Sequence, residues 1–277
     1  SPFLPMPHIL KTERPDRAAS MLAEGKVVVI VQGSPFVLIL PTTAADLVEA
    51  SEDNYVRVPE ANFMKAVRLF GIFLSLFLPA SFVAVALYHH EVFPTDLLLA
   101  IEATREKVPF PIVLELIIME FGFELIKEAS VRIPNPVGST IGIIGALILG
   151  QAAVSANLVS PILIIIVAAA GVGSFATPSM SLSRALSILR FLYIILGAVG
   201  GFLGIACGIF INGVMLAGVN MLGVPFLSPL TPRGVQAASR SIFVSPIWKK
   251  EKRPAMLKPQ SEDRQPPISR KWAEKPE

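Results

Sequence analysis

Four carboxylates stand in a stretch that is otherwise strongly apolar: Glu115, Glu120, Glu124 and Glu128, within residues 109–129. Glu120, Glu124 and Glu128 recur every four residues, so on a helix they share one face, with Glu115 well off it. Carboxylates at membrane depth are costly and face a bundle interior or a water-filled cavity, where they serve ion pathways. Glu115, Glu120 and Glu124 are therefore candidate ion-pathway residues. Two other readings stand beside this one. The helix could lie at the headgroup level with its carboxylates in water, or Glu124 could pair structurally with Lys127 or Arg132. Gln151, an amide near the end of an uncharged run, could bond across helices or line a pore. A further group has no chemistry of its own. Gly197, Gly200, Gly201, Gly204 and Gly208 give overlapping small-xxx-small spacings, which let helix backbones approach closely within a subunit or between subunits.

The elements that must position these residues are membrane helices. Apolar residues make up 53% of the 277-residue chain and charged residues 16%, where a globular domain carries about 25% charged. Mean hydropathy is +0.63. Residues 70–88, 133–183 and 191–232 hold no Asp, Glu, Lys, Arg or His, in runs of 19, 51 and 42 residues. A bilayer core needs roughly 20 apolar residues per helix. The 51-residue run is right for two spans, broken at Ser155-Ala156-Asn157-Leu158-Val159-Ser160-Pro161. Spans are expected at about 67–87, 137–154, 161–177 and 191–214, with Arg184 and Arg190 marking an interface before the last. The acidic segment 109–129 is a fifth, or is re-entrant or interfacial. Residues 92–108 read as a polar connection.

Residues 1–62 read as the end of a soluble α/β domain. A short helix is expected over 15–23, a hairpin from 26–31 and 36–40 around Gln32-Gly33-Ser34-Pro35, and a helix over 44–51 capped by Thr43. Residues 63–222 form the helical membrane domain. Residues 223–277 comprise a Gly/Pro-broken interfacial segment and a disordered basic tail, with 11 basic against 5 acidic side chains over 233–277. That tail favours the cytoplasmic side and anionic lipid over nucleic acid. Lys65 and Arg68 ahead of the first span favour the same side, which requires an even number of crossings. The fold class is thus mainly α: a polytopic membrane protein with four or five membrane helices, preceded by the end of a small cytoplasmic α/β domain. The opening Ser1-Pro2-Phe3 has neither an initiator Met nor a signal-peptide pattern, and the chain reads as a fragment.

Enzyme signatures are missing from the sequence. There is no G-x-x-x-x-G-K-[ST], no H-E-x-x-H, no G-x-S-x-G and no Cys/His cluster. His89-His90 reads as interfacial, and the single cysteine, Cys207, as a small apolar packing residue. No catalytic residue, metal or cofactor is expected.

Several segments resemble the A subunit of the GerA family of spore germinant receptors. They are Thr12-Glu13-Arg14-Pro15-Asp16 with Leu22-Ala23-Glu24-Gly25-Lys26-Val27 and Gly33-Ser34-Pro35-Phe36-Val37-Leu38; Arg105-Glu106-Lys107-Val108-Pro109-Phe110-Pro111 with Glu115, Met119-Glu120 and Phe123-Glu124; Arg132-Ile133-Pro134-Asn135-Pro136-Val137-Gly138 with the run 145–154 and Leu158-Val159-Ser160-Pro161; and Gly223-Val224-Pro225-Phe226 through Pro229 and Pro232. A spore stage V paralogue shares the family's fold. The resemblance covers about Thr12 to Pro232. It implies a multi-pass protein of the inner spore membrane that acts in germination and homo-oligomerises into a nutrient-gated ion channel. It also implies a transporter-like B subunit and a C-subunit lipoprotein as partners. The alternatives are a secondary transporter or permease subunit, and a non-conducting scaffold of the receptor complex.

Overall fold

Val27-Val28-Val29-Ile30 and Val37-Leu38-Ile39-Leu40 are β-branched or apolar runs separated by turn residues, and they pair as expected. In the computed structural model, which describes residues 6–131, 137–228, 244, 252–257 and 259–264, strands β2 (Val27–Ile30) and β3 (Val37–Leu40) form an antiparallel hairpin with Val27 opposite Leu40. A third strand that the sequence reading missed, β1 (Leu10–Thr12), pairs with the other edge of β3. Helix α1 (Pro15–Ala23) begins with Pro at its first turn, where the missing N–H costs nothing. Helix α2 (Ala44–Val48) follows Thr43.

The described residues divide into two compact units. One draws on Ser1–Leu69, Pro178–Leu182 and Ile211–Glu277, the other on Phe70–Thr177 and Ser183–Phe210. In the first unit, Leu10, Met21, Ile39, Leu47 and Phe226 are buried. Lys26 and Asp46 form a buried ion pair at 2.5 Å, and Asp46 also accepts from the Thr43 N–H and hydroxyl at 2.7 and 2.8 Å. The buried Arg17 donates to the carbonyls of Asp46 and Glu49, satisfying the open end of α2. Thr43→Ala should cost about 1 kcal/mol, read as a small drop in the thermal unfolding midpoint of the full-length protein.

The stretch after the last long helix forms a short hairpin. Strands β4 (Asn220–Met221) and β5 (Val224–Pro225) make a two-residue hairpin, and the Phe226 carbonyl accepts from the Ala44 N–H at 2.8 Å. The described part of the tail also carries structure. The Arg253 N–H donates to Glu262 O, its Nε to Ala23 O, and Lys252 bridges Asp263. The rest of the expected disordered tail, the Arg132–Pro136 motif and Pro229 and Pro232 lie outside the described residues.

The remaining elements are helical. Helix α3 (Val58–Tyr88) starts nine residues before the expected span. Residues 92–108 are not a plain connection: they contain α4 (Thr95–Arg105). The acidic segment is α5 (Ile112–Val131), followed by α6 (Val137–Ser155) and α7 (Pro161–Phe175), both near their expected bounds. Two described helices, α3 and α8 (Met180–Ala217), are long and apolar enough to cross a membrane, with mean hydropathies of 2.3 and 2.4. That is fewer than the four or five expected. Helix α5 holds five charged residues, and α7 has 15 residues.

Helix α8 corrects the reading of the last span. It is one assigned run of 38 residues, but Gly201 within it has φ 58° and ψ −144°. The chain reverses there. A Cβ on Gly208 would lie 2.6 Å from Leu196 and 2.9 Å from Tyr193, residues that a straight helix would hold roughly 18 Å away or more. The glycine pattern is therefore mainly the seam of a helical hairpin, with arms 180–200 and 202–217. Gly204 meets the Leu196 carbonyl across that seam, and Gly197 abuts the Ala80 carbonyl of α3 at 2.8 Å. Gly200 faces open space.

A helix end leaves carbonyls without donors. Here the Tyr88 hydroxyl lies within 2.8 Å of Ala198 O and 3.0 Å of Val199 O and donates to them. The His89 ring lies tilted against that of Phe202, with centroids 5.1 Å apart. Tyr88→Phe removes the donor and should lower stability by about 0.5–1.5 kcal/mol, measured by thermal unfolding of the full-length protein in detergent.

Candidate functional site

The acidic helix does not present a row of free carboxylates. Glu115 and Glu120 are both fully buried, and each is paired. The Arg190 Nη1 donates to Glu120 Oε2 at 2.6 Å. Its Nη2 donates to Ser75 Oγ of α3 at 2.5 Å. Arg190, from the first arm of α8, thereby links three helices. Arg190 and Ser75 are themselves fully buried. Pro79 has no N–H to return to the Ser75 carbonyl, so the α3 ladder is open at that turn. The same turn is closely packed: a Cβ on Gly173 of α7 would overlap the Gly71 carbonyl and lie 3.1 Å from the Ser75 nitrogen.

One turn along α5, Glu124 remains partly exposed. Its Oε1 lies 2.5 Å from Ser187 Oγ, 3.5 Å from Lys127 Nζ and 3.9 Å from Arg190 Nη1. Lys127 also donates to Ser187 Oγ at 3.4 Å. Glu124 thus pairs with Lys127, one of the partners the sequence offered. The two acids, Glu120 and Glu124, face two bases, Lys127 and Arg190, so the cluster is formally neutral. Two buried atoms within it, Glu120 Oε1 and Arg190 Nε, have no hydrogen-bond partner among the described residues. Glu128, the third residue of the four-residue series, is exposed.

Glu115 belongs to a separate cluster. Its Oε2 accepts from the Ser160 N–H at 2.9 Å, and its Oε1 lies 3.4 Å from Arg105 Nη2. Ser160 is the N-cap position of α7, so this carboxylate sits where orphan N–H groups and the helix dipole favour negative charge. Gln151 is placed apart from both clusters. It is exposed on an apolar groove of about 320 Å³, whose lining includes Phe123, Ile164, Val172 and Phe175. The structure therefore brings Glu120 and Glu124 together and leaves Glu115 and Gln151 elsewhere. Among the described residues no group of His, Cys, Asp and Glu could hold a metal ion.

The family described as Bacillus/Clostridium GerA spore germination protein matches residues 1–256. The chain belongs to the GerA family. It is 43% identical over 263 residues to spore germination protein KA of Bacillus subtilis (strain 168), covering 95% of this chain and 48% of that protein. It is 39% identical to the uncharacterized membrane protein YfkQ of the same organism, covering 91% of this chain and 49% of the relative. Spore germination protein A1, also from Bacillus subtilis (strain 168), is 37% identical, over 90% of this chain and 52% of that protein. The chain spans about half the length of these curated relatives. No solved structure matches it.

In this GerA-family chain the basic side of the cluster escaped the sequence reading. Arg190 borders an uncharged run, a position that reads as an interface. It is instead fully buried, well inside a helix that begins at Met180. A signal was present. Between residues 133 and 232 the sequence offers two charges, Arg184 and Arg190. Ser183, Ser187 and Arg190 recur at spacings of four and three, on one helical face. Buried carboxylates need a counter-charge, and that face offers one from another helix.

Proposed function

We propose that this chain is the membrane part of a germinant-receptor A subunit, and that it contributes to an oligomeric, nutrient-gated ion channel in the inner spore membrane. The observation that carries the reading is an ionisable cluster, Glu120, Glu124, Lys127 and Arg190, set inside an apolar helical body of a GerA-family chain. Intramembrane ionisable groups of this kind mark ion or proton pathways. The outer surface of the same body is apolar, as lipid requires: Val172, Val199, Leu203 and Phe210 are each at least 70% exposed.

The proposed topology is multi-pass, with α3, α5, α6, α7 and both arms of α8 crossing. The reversal at Gly201 adds a crossing to the five expected at most. Six crossings return the tail to the side from which α3 enters, which satisfies both basic flanks. The first arm of α8 is about 31 Å long and the second about 24 Å, near and somewhat below a bilayer core of about 30 Å. A transporter-like B subunit and a C-subunit lipoprotein are the proposed partners, and no catalytic role is assigned.

A second reading has one specific observation in its favour. Broken helices such as α8 build the central sites of secondary transporters. The full-length protein, expressed in a vegetative bacterial membrane alone and with its proposed partners, separates the readings. A channel depolarises the membrane in a dye assay. A transporter instead gives saturable substrate uptake. If the inserted protein does neither, it is a scaffold and the channel reading fails.

A further inference from the structure

The Arg190–Glu120 pair is an expensive way to hold helices together. Burying both charges costs several kcal/mol per ion, and apolar residues of similar volume commonly serve stability as well or better. Among the described residues Glu120 Oε1 and Arg190 Nε have no partner although both are buried. A static polar network is expected to satisfy its members. A second carboxylate stands ready: Glu124 Oε1 already lies 3.9 Å from Arg190 Nη1, one helical turn from Glu120. Near this pair, α8 meets α3 through Tyr193, whose ring lies 5.1 Å from that of Phe77, and through Gly197 against the Ala80 carbonyl.

We infer that Arg190 is a movable internal counter-ion that latches the first arm of α8 to α3 and α5 by neutralising Glu120, and that its transfer toward Glu124 frees the Glu120 carboxylate. This rests on the channel reading. A carboxylate held 2.6 Å from a fixed guanidinium offers no stepping site to a passing cation. Ion passage along this face requires the latch to open. A shift of one element past another by one turn, about 5.4 Å, is an established kind of switching motion, and it matches the spacing of Glu120 and Glu124. The Glu120-bound arrangement is the resting one.

The test compares two double variants of the full-length protein, expressed with its proposed partners and without added nutrient. Glu120→Met with Arg190→Met removes the pair and leaves no bare charge. Glu120→Arg with Arg190→Glu keeps the pair in reverse. Pair removal should raise resting ion flux roughly tenfold over wild type, the shift expected when a resting population loses one latch of modest strength. Reversal should leave flux near the wild-type level. Amide hydrogen exchange over 183–200 gives a readout independent of conduction. Exchange there should quicken on pair removal, with a global unfolding midpoint near that of wild type, and stay slow on reversal. If no protein conducts, the channel reading fails, and the exchange data still decide the latch. Wild-type exchange over 183–200 in the pair-removed protein overturns it, as does wild-type flux from a pair-removed protein in a system that conducts.

Discussion

Arg190→Met alone should be the most damaging single substitution in the membrane body. It removes one partner of a fully buried pair and leaves Glu120 among apolar side chains without a counter-charge. Breaking such a pair costs about 3–5 kcal/mol, against total stabilities of about 5–15 kcal/mol. Glu120→Met should cost a similar amount by stranding Arg190, while the double substitution should recover most of the loss. The four proteins close a double-mutant cycle whose coupling energy isolates the pair from its surroundings. Arg190→Lys is the informative intermediate. A lysine keeps the charge but lacks the fork that reaches Glu120 and Ser75 together. Thermal unfolding of the purified full-length protein in detergent, with membrane abundance as a second measure, reads all five. If the two single losses simply add in the double variant, Glu120 and Arg190 are not energetically coupled.

Much of the fold was legible because its signals are local. The turn residues of 32–35, Thr43 ahead of α2, and Pro161 at the start of α7 each act on their own neighbours. The acidic helix was equally visible, since four glutamates in an apolar segment have few physical explanations. Its partner on α8 was not visible, because that pairing depends on a tertiary contact between residues 70 positions apart, Arg190 and Glu120. Strand β1 was missed for the same reason: three residues, Leu10-Lys11-Thr12, carry no periodicity, and β3 recruits them. The glycine pattern was seen and partly misread. Small-residue spacing predicts close approach of backbones, and close approach occurs. Spacing alone does not say that one of the five, Gly201, ends the helix and turns the chain back on itself.

That distinction yields the second large effect. Gly201→Ala should destabilise the protein by about 1–3 kcal/mol, whereas Gly200→Ala, one residue away, should be neutral or stabilising by up to about 1 kcal/mol. At Gly201 the backbone has φ 58° and ψ −144°, a region that residues with a Cβ avoid at a cost of about 1–3 kcal/mol. The new Cβ would also lie 3.2 Å from the Tyr88 ring and 3.3 Å from His89, so these two exposed side chains would have to shift by a few tenths of an ångström. Gly200 is the natural control. It has no neighbour within 4 Å, and no positive φ, so alanine there gains helix propensity with nothing to displace. Alanine at Gly201 would favour a continuous helix of 38 residues, about 57 Å long and nearly twice a bilayer core. The reversal, the seam of Gly204 and Gly208, and the Tyr88 bonds to Ala198 and Val199 all depend on one residue without a Cβ. Unfolding midpoints of the two variants, side by side in detergent, test this. Equal effects at positions 200 and 201 would mean that the chain reverses elsewhere.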